Sequence, residues 1–134
     1  MIEKKFFTHK NKKIAYVDVG TGDPIIFFHG NPSSSYLYRN IIKNLNSGYR
    51  CIAADMIGMG DSDKLDNPGH MTYTFDTHFE YLSELIKSLN LNEKITLVGQ
   101  DWGGPLSIKW ARENSDKVRA VSYTHLRAHE TAMY

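Results

Sequence analysis

Three short stretches carry residues able to do chemistry: His29-Gly-Asn31-Pro32, Asp55-Met-Ile-Gly58-Met-Gly60-Asp-Ser62 and Gly99-Gln100-Asp101-Trp102-Gly103. In the last, an acidic residue stands between small residues two positions away on each side. That spacing suits a tight strand-to-helix turn, where neighbouring backbones crowd and the central side chain is lifted clear of a sheet. A carboxylate held there, at the start of a helix, is poised to attack carbon. The same pattern also fits an Asp N-cap followed by packing glycines. Trp102 offers an indole N–H, a donor only, and Asn31 a carboxamide with two donors. Trp102 also fits a core aromatic, and Asn31 a turn stabiliser. Asp55 is expected to tie down its own loop and His29 to be structural. Gly58 and Gly60 do not open a helix, which argues against a phosphate loop. His9, His70 and His78 have no metal-ligand spacing and are expected at the surface or in loops.

Elements must position these residues. Lys4 to Thr8 and Lys13 to Val19 read as two strands joined by the polar turn His9-Lys-Asn-Lys12, an antiparallel hairpin. Ile25 to Phe28 is wholly apolar, as suits a strand buried on both faces. Ser33 to Ser35 offer N-caps for a helix with Leu37, Ile41 and Leu45 on its packed face. Arg50 to Ala54 is a strand closed by Asp55. A helix is predicted from about Thr74 to Leu89, with Phe75, Phe79, Leu82, Ile86 and Leu89 as one apolar stripe. Ile95 to Val98 leads into the Asp101 turn, Pro105 to Asn114 has helical character, and Val118 to Val121 begins another strand. The order β-β-β-α-β-α-β-α-β indicates an α/β fold with a mostly parallel sheet. Ligands bind such sheets beyond the carboxyl ends of the strands, where Asn31, Asp55 and Asp101 all fall.

Composition sets outer limits. The chain has 134 residues, 41% hydrophobic and 23% charged, with a formal net charge of +1, enough for one modest globular domain. That charge gives no reason to invoke nucleic acid or an anionic membrane. The single Cys51 excludes an internal disulfide framework and a cysteine metal site, and fits a reducing, cytoplasmic setting. No run has the length or apolarity of a signal peptide or a membrane span.

Together, His29-Gly-Asn31-Pro-Ser-Ser-Ser-Tyr-Leu-Tyr-Arg-Asn, Asp55-Met-Ile-Gly-Met-Gly-Asp-Ser-Asp63 and Gly99-Gln-Asp101-Trp102-Gly-Gly resemble haloalkane dehalogenases of the α/β-hydrolase superfamily. The resemblance runs from about Lys4 to Val121. It implies that Asp101 is the nucleophile and that Asn31 and Trp102 hold the leaving halide. It also implies that the backbone N–H groups of Asn31 and Trp102 form the oxyanion hole. The implied reaction is hydrolytic dehalogenation of a small halogenated hydrocarbon through an alkyl-enzyme ester, with water and no cofactor or metal. An epoxide hydrolase of the same superfamily is the alternative, and Asn31, where that family carries a bulky apolar or aromatic residue, argues against it.

The family's members are roughly twice as long, as a complete domain of this kind requires. They continue into a helical cap, further strands and a late catalytic His. Residues 1–121 are therefore expected to be the N-terminal half of an α/β-hydrolase core, a truncated core. Residues 122–134 depart from the family pattern and read as a non-native tail. One family position for the catalytic acid falls near 125, which here is His125. His125 and His129 are expected to be incidental, and the fragment by itself inactive. Substrate chain length, halogen preference, subgroup and oligomeric state are not encoded in these residues.

Overall fold

The computed structural model describes residues 2–92 and 94–124. Their elements are β1 (Lys5–His9), β2 (Lys12–Val19), β3 (Asp23–Phe28), a 3₁₀ turn (Ser35–Tyr38), α1 (Arg39–Leu45), β4 (Tyr49–Ala54), α2 (Phe75–Ser88), β5 (Ile95–Gly99), α3 (Gly103–Glu113) and β6 (Val118–Tyr123). This is the element order expected from the sequence. The hairpin turn is tighter than expected: only Lys10 and Asn11 lie outside the strands, both at positive φ. Two such residues match the twist of the paired strands.

The strands form one sheet in the order β1-β2-β4-β3-β5-β6. β1, β2 and β4 pair antiparallel, while β4-β3, β3-β5 and β5-β6 pair parallel. After β4 the chain crosses over β3 to begin β5 on its other side, so the direction of winding reverses at β3. The crevice beyond the carboxyl ends of β3 and β5 is thus the switch point where such folds bind ligands.

The apolar run of β3 divides by parity. Ile26 and Phe28 join the larger core under α2 and α3, with Ile52, Leu82, Leu85, Leu97, Leu106 and Trp110. Ile25 and Phe27 join a smaller core under α1, with Val17, Tyr38, Ile42, Cys51 and Ala53. Both faces of the strand are covered, as its composition requires.

α2 follows the predicted stripe, capped by Thr74, whose side chain accepts from the Thr77 amide. Its packed face also takes in Tyr81 and Leu85. α1 differs. Leu37 and Ile41 are 42% and 46% exposed, whereas Tyr38 and Ile42 are buried. The 3₁₀ turn rotates the entry to α1, and Tyr38 anchors that rotation. Its hydroxyl donates to the Phe28 carbonyl at 2.8 Å and its ring packs 4.8 Å from Phe27. α3 begins two residues before Pro105, at Gly103. A proline is tolerated there because first-turn amides lack intrahelical acceptors.

β6 runs through Ser122 and Tyr123, pairing with Val98 and Gly99, two residues into the stretch expected to be a tail. His125, His129 and the rest of that stretch beyond Thr124 lie outside the described residues.

Candidate active site

The register Phe28↔Gly99 sets the carboxyl ends of β3 and β5 side by side. Three residues on from each lie Asn31 and Trp102, with Asp101 between. Asp101 adopts φ 55°, in the left-handed region. Asp tolerates that conformation better than most residues, yet there it marks an imposed turn. The turn closes through Gly103 N–H to Gln100 O and Gly104 N–H to Asp101 O, both 2.9 Å.

Small residues on either side are obligatory. A Cβ at Gly103 would stand 2.0 Å from the Phe28 carbonyl oxygen, and one at Gly99 would stand 2.5 Å from the Gly103 oxygen. The Asp101 side chain lies over Gly30, where a Cβ would come within 2.6 Å of the Asp101 Cβ. The Asn31 amide points at the Asp101 carboxylate, with its nitrogen 3.4 Å from Oδ2, a long contact. Asp101, Asn31 and Trp102 therefore meet at one place.

Trp102 is 50% exposed, so it is no core aromatic. Its ring lies 5.9 Å from that of Phe75, tilted by 47°. Beneath Asn31 and Trp102 is a cavity of about 110 Å³, walled by Met56, Met59, Tyr73, Phe75, His78 and Leu106. The sequence reading missed this wall. From the sequence, Phe75 belongs to a packing stripe and His78 is expected at the surface or in a loop. Instead His78 lies on α2 with Nδ1 buried and unpartnered. Burial, then the proximity of His29, depresses its basicity. The spacing of Phe75 and His78, three apart on one helix face, was the available signal. His9 also departs from expectation, since it ends β1 half-buried with Nε2 2.7 Å from Glu80. His70 is an exposed loop residue, as expected.

His29 is fully engaged. Its Nε2 accepts from the Met56 amide at 2.9 Å, which leaves Nδ1–H to donate to the Gly30 carbonyl at 2.7 Å. Burial pushes its pKa down, consistent with a neutral ring locked in one tautomer. Asp55 is also structural. Its buried carboxylate accepts from the Lys4 ammonium and the Ser35 amide at 2.7 Å, and from the Asp61 amide at 2.9 Å. Burial by itself would raise its pKa. The ammonium and the two amides outweigh burial and hold it below the usual carboxylate range. The Asn31 loop is thus braced from beneath by His29 and by Asp55.

Among the described residues no group of three or more His, Cys, Asp or Glu is arranged to hold a metal ion, and no helix is long and apolar enough to cross a membrane.

Residues 23–124 match the model of a family described as the alpha/beta hydrolase fold. A haloalkane dehalogenase of Sphingobium indicum is 50% identical over 121 residues, 90% of this chain and 41% of that protein. Among solved structures, the haloalkane dehalogenase DatA of Agrobacterium tumefaciens superposes with a TM-score of 0.81 at 38% identity, over 90% of this chain and 40% of that one. A mutant epoxide hydrolase of Vigna radiata gives 0.81 at 28% identity, over 93% of this chain and 39% of that one. The chain thus spans about two-fifths of the length of the proteins it matches.

Proposed function

The chain belongs to the alpha/beta hydrolase fold family, and from that premise we propose that it supplies the nucleophile and the halide-binding half of a haloalkane dehalogenase. The observation that carries this reading is the meeting of Asp101, Asn31 and Trp102 at one switch point, with the Asn31 amide directed at the Asp101 carboxylate.

In the proposed reaction an Asp101 carboxylate oxygen attacks the halogen-bearing carbon of a small haloalkane. A carbon–oxygen bond forms as the carbon–halogen bond breaks, and the halide leaves with the bonding pair. The Asn31 carboxamide and the Trp102 indole N–H are the donors available to the departing halide. Water then attacks the carbonyl carbon of the Asp101 ester, assisted by a general base, releasing the alcohol. In this reading the backbone amides of Asn31, whose nitrogen lies 3.4 Å from Asp101 Oδ2, and of Trp102 receive the ester oxyanion. His29 is not that base, since both its ring nitrogens are committed. His78 is assigned no step here; it lines the cavity with Asn31 and Trp102.

Epoxide opening by the same carboxylate is the second reading, and the likeness to the Vigna radiata enzyme favours its consideration. Asn31 argues against it, since the resemblance places a bulky apolar or aromatic residue at that position in epoxide hydrolases. Cys51 is a free, buried thiol, and a cytoplasmic setting belongs to the same proposal.

The test is to incubate the chain with 1-bromobutane and, separately, with a terminal epoxide, then map any adduct by peptide mass. A butyl group on the Asp101 peptide with release of bromide is expected. A hydroxyalkyl adduct from the epoxide, with no butyl adduct, would reverse the order of the two readings.

A further inference from the structure

His78 takes no part in the chemistry proposed above, yet it faces the same place from below. It lies in the first turn of α2 and lines the cavity shared with Asn31 and Trp102. Its ring stacks 6.0 Å from that of Tyr73, at 24°. Among the described residues only two buried side-chain polar atoms lack a partner, and His78 Nδ1 is one of them. Such orphaned atoms are rare in folded proteins and call for an occupant.

The cavity can supply one. At about 110 Å³ it exceeds several-fold the roughly 30 Å³ that a water molecule occupies in the liquid. Met56, Met59, Phe75 and Leu106 make much of its wall apolar. Asn31 and Trp102 also line it, and their side chains carry a carboxamide and an indole N–H, the kinds of further polar partner that a held water requires. The imidazole, kept toward its neutral form by burial and by His29, can donate or accept at Nδ1 according to tautomer.

We propose that His78 is a positioning residue, whose Nδ1 anchors water in this cavity and so holds Asn31 and Trp102 in the orientation that faces the departing halide. The inference rests on the dehalogenase reading of those two residues. It assigns to α2 a part in leaving-group binding, at one remove from the reacting atoms.

The experiment uses the full chain unsubstituted and as His78→Leu and His78→Asn. In the unsubstituted chain, magnetisation transfer between water and the His78 ring is expected, together with quenching of tryptophan fluorescence by bromide. His78→Leu should weaken bromide binding roughly tenfold, the effect of one hydrogen bond of ordinary strength. It should slow alkylation of Asp101 by 1-bromobutane in step. His78→Asn, which can hold the same water, should recover most of the bromide affinity, a rescue that a purely packing role would not give. If the unsubstituted chain neither binds bromide nor is alkylated at Asp101, the dehalogenase reading falls and takes this inference with it. If it does both and His78→Leu binds bromide equally well, only the positioning role falls. Should neither variant fold, the absence of water transfer at the His78 ring of the unsubstituted chain would overturn it.

Discussion

At position 101 the backbone and the side chain make separate demands that an acidic residue meets together. The left-handed φ of 55° is tolerated by Asp and Asn and by few others. Asp101→Asn should therefore keep the fold, changing stability by less than about 1 kcal/mol. It should lose the butyl adduct entirely, because a carboxamide oxygen is a poor nucleophile; adduct mapping and a urea melt check both halves. Trp102→Phe keeps the ring beside Phe75 and removes one donor. A cost of up to about two to three orders of magnitude in bromide release is expected, the range for loss of one oxyanion-hole donor. Unchanged release and unchanged bromide quenching would remove Trp102 from the halide site. The elbow was legible in the sequence because its constraint is local: two glycines flanking an acidic residue encode a backbone shape. The cavity wall was not. The periodicity of α2 tells which face packs, but what Phe75 and His78 pack toward depends on where β5 delivers Trp102.

Elements set the tolerance of that geometry. Gly103→Ala would drive a Cβ into the Phe28 carbonyl, and overpacking of this kind costs about 3 kcal/mol. A drop in thermal midpoint is expected, with no adduct on Asp101 in whatever remains folded. The Asp55 brace should show in the pH dependence of stability. Its carboxylate is held below its unfolded value. The stability it contributes is therefore full above the usual carboxylate range and is lost as pH falls through its depressed folded value. His29 and His78 are also depressed, so they favour the unfolded state once pH drops below about 6.5, the ordinary histidine value. Urea midpoints should thus fall in two stages on acidification. Asp55→Asn should remove the lower stage, and an unaltered two-stage profile in that variant would refute the assignment. β3 was legible from its four apolar residues, and the hairpin from its polar break. The packed face of α1 was misread as Leu37 and Ile41 because a 3₁₀ turn shifts the phase by which a helix meets a sheet. That shift is set by a distant acceptor, the Phe28 carbonyl, which the sequence of α1 does not mention.

For the whole molecule, the succession of elements followed from alternating strand and helix patterns, and the burial of β3 on both faces from its apolar run, whereas the order of strands across the sheet was not legible. The outer edge β6 was legible from Val118 to Val121 but not on to Tyr123, where its side chains are exposed. The 134-residue chain should release at most one bromide per molecule, because both ring nitrogens of His29 are committed and the proposed reading assigns deacylation to no other described histidine. Residues 1–124 joined to the remaining three-fifths of the Sphingobium indicum relative should turn over repeatedly, and ion chromatography of bromide distinguishes the two. Sustained release by the chain alone would show that a base lies within it. The Phe28 carbonyl oxygen carries a consequence for variation and redesign. It accepts from the Tyr38 hydroxyl and from the Gln100 amide at 3.1 Å, and it stands against Gly103. One main-chain atom thus serves as the datum from which α1, the elbow and the start of α3 are all measured. No exchange of the Phe28 side chain deletes that atom, so the scaffold is insulated from the identity of the groups it presents. Positions 31 and 102 form an interchangeable cassette on a fixed mount, whereas 38, 99 and 103 are the fasteners and 101 is held to residues that accept its left-handed backbone. A library that randomises the first set should return mostly folded members with new reactivity, and one that randomises the second should return mostly unfolded ones.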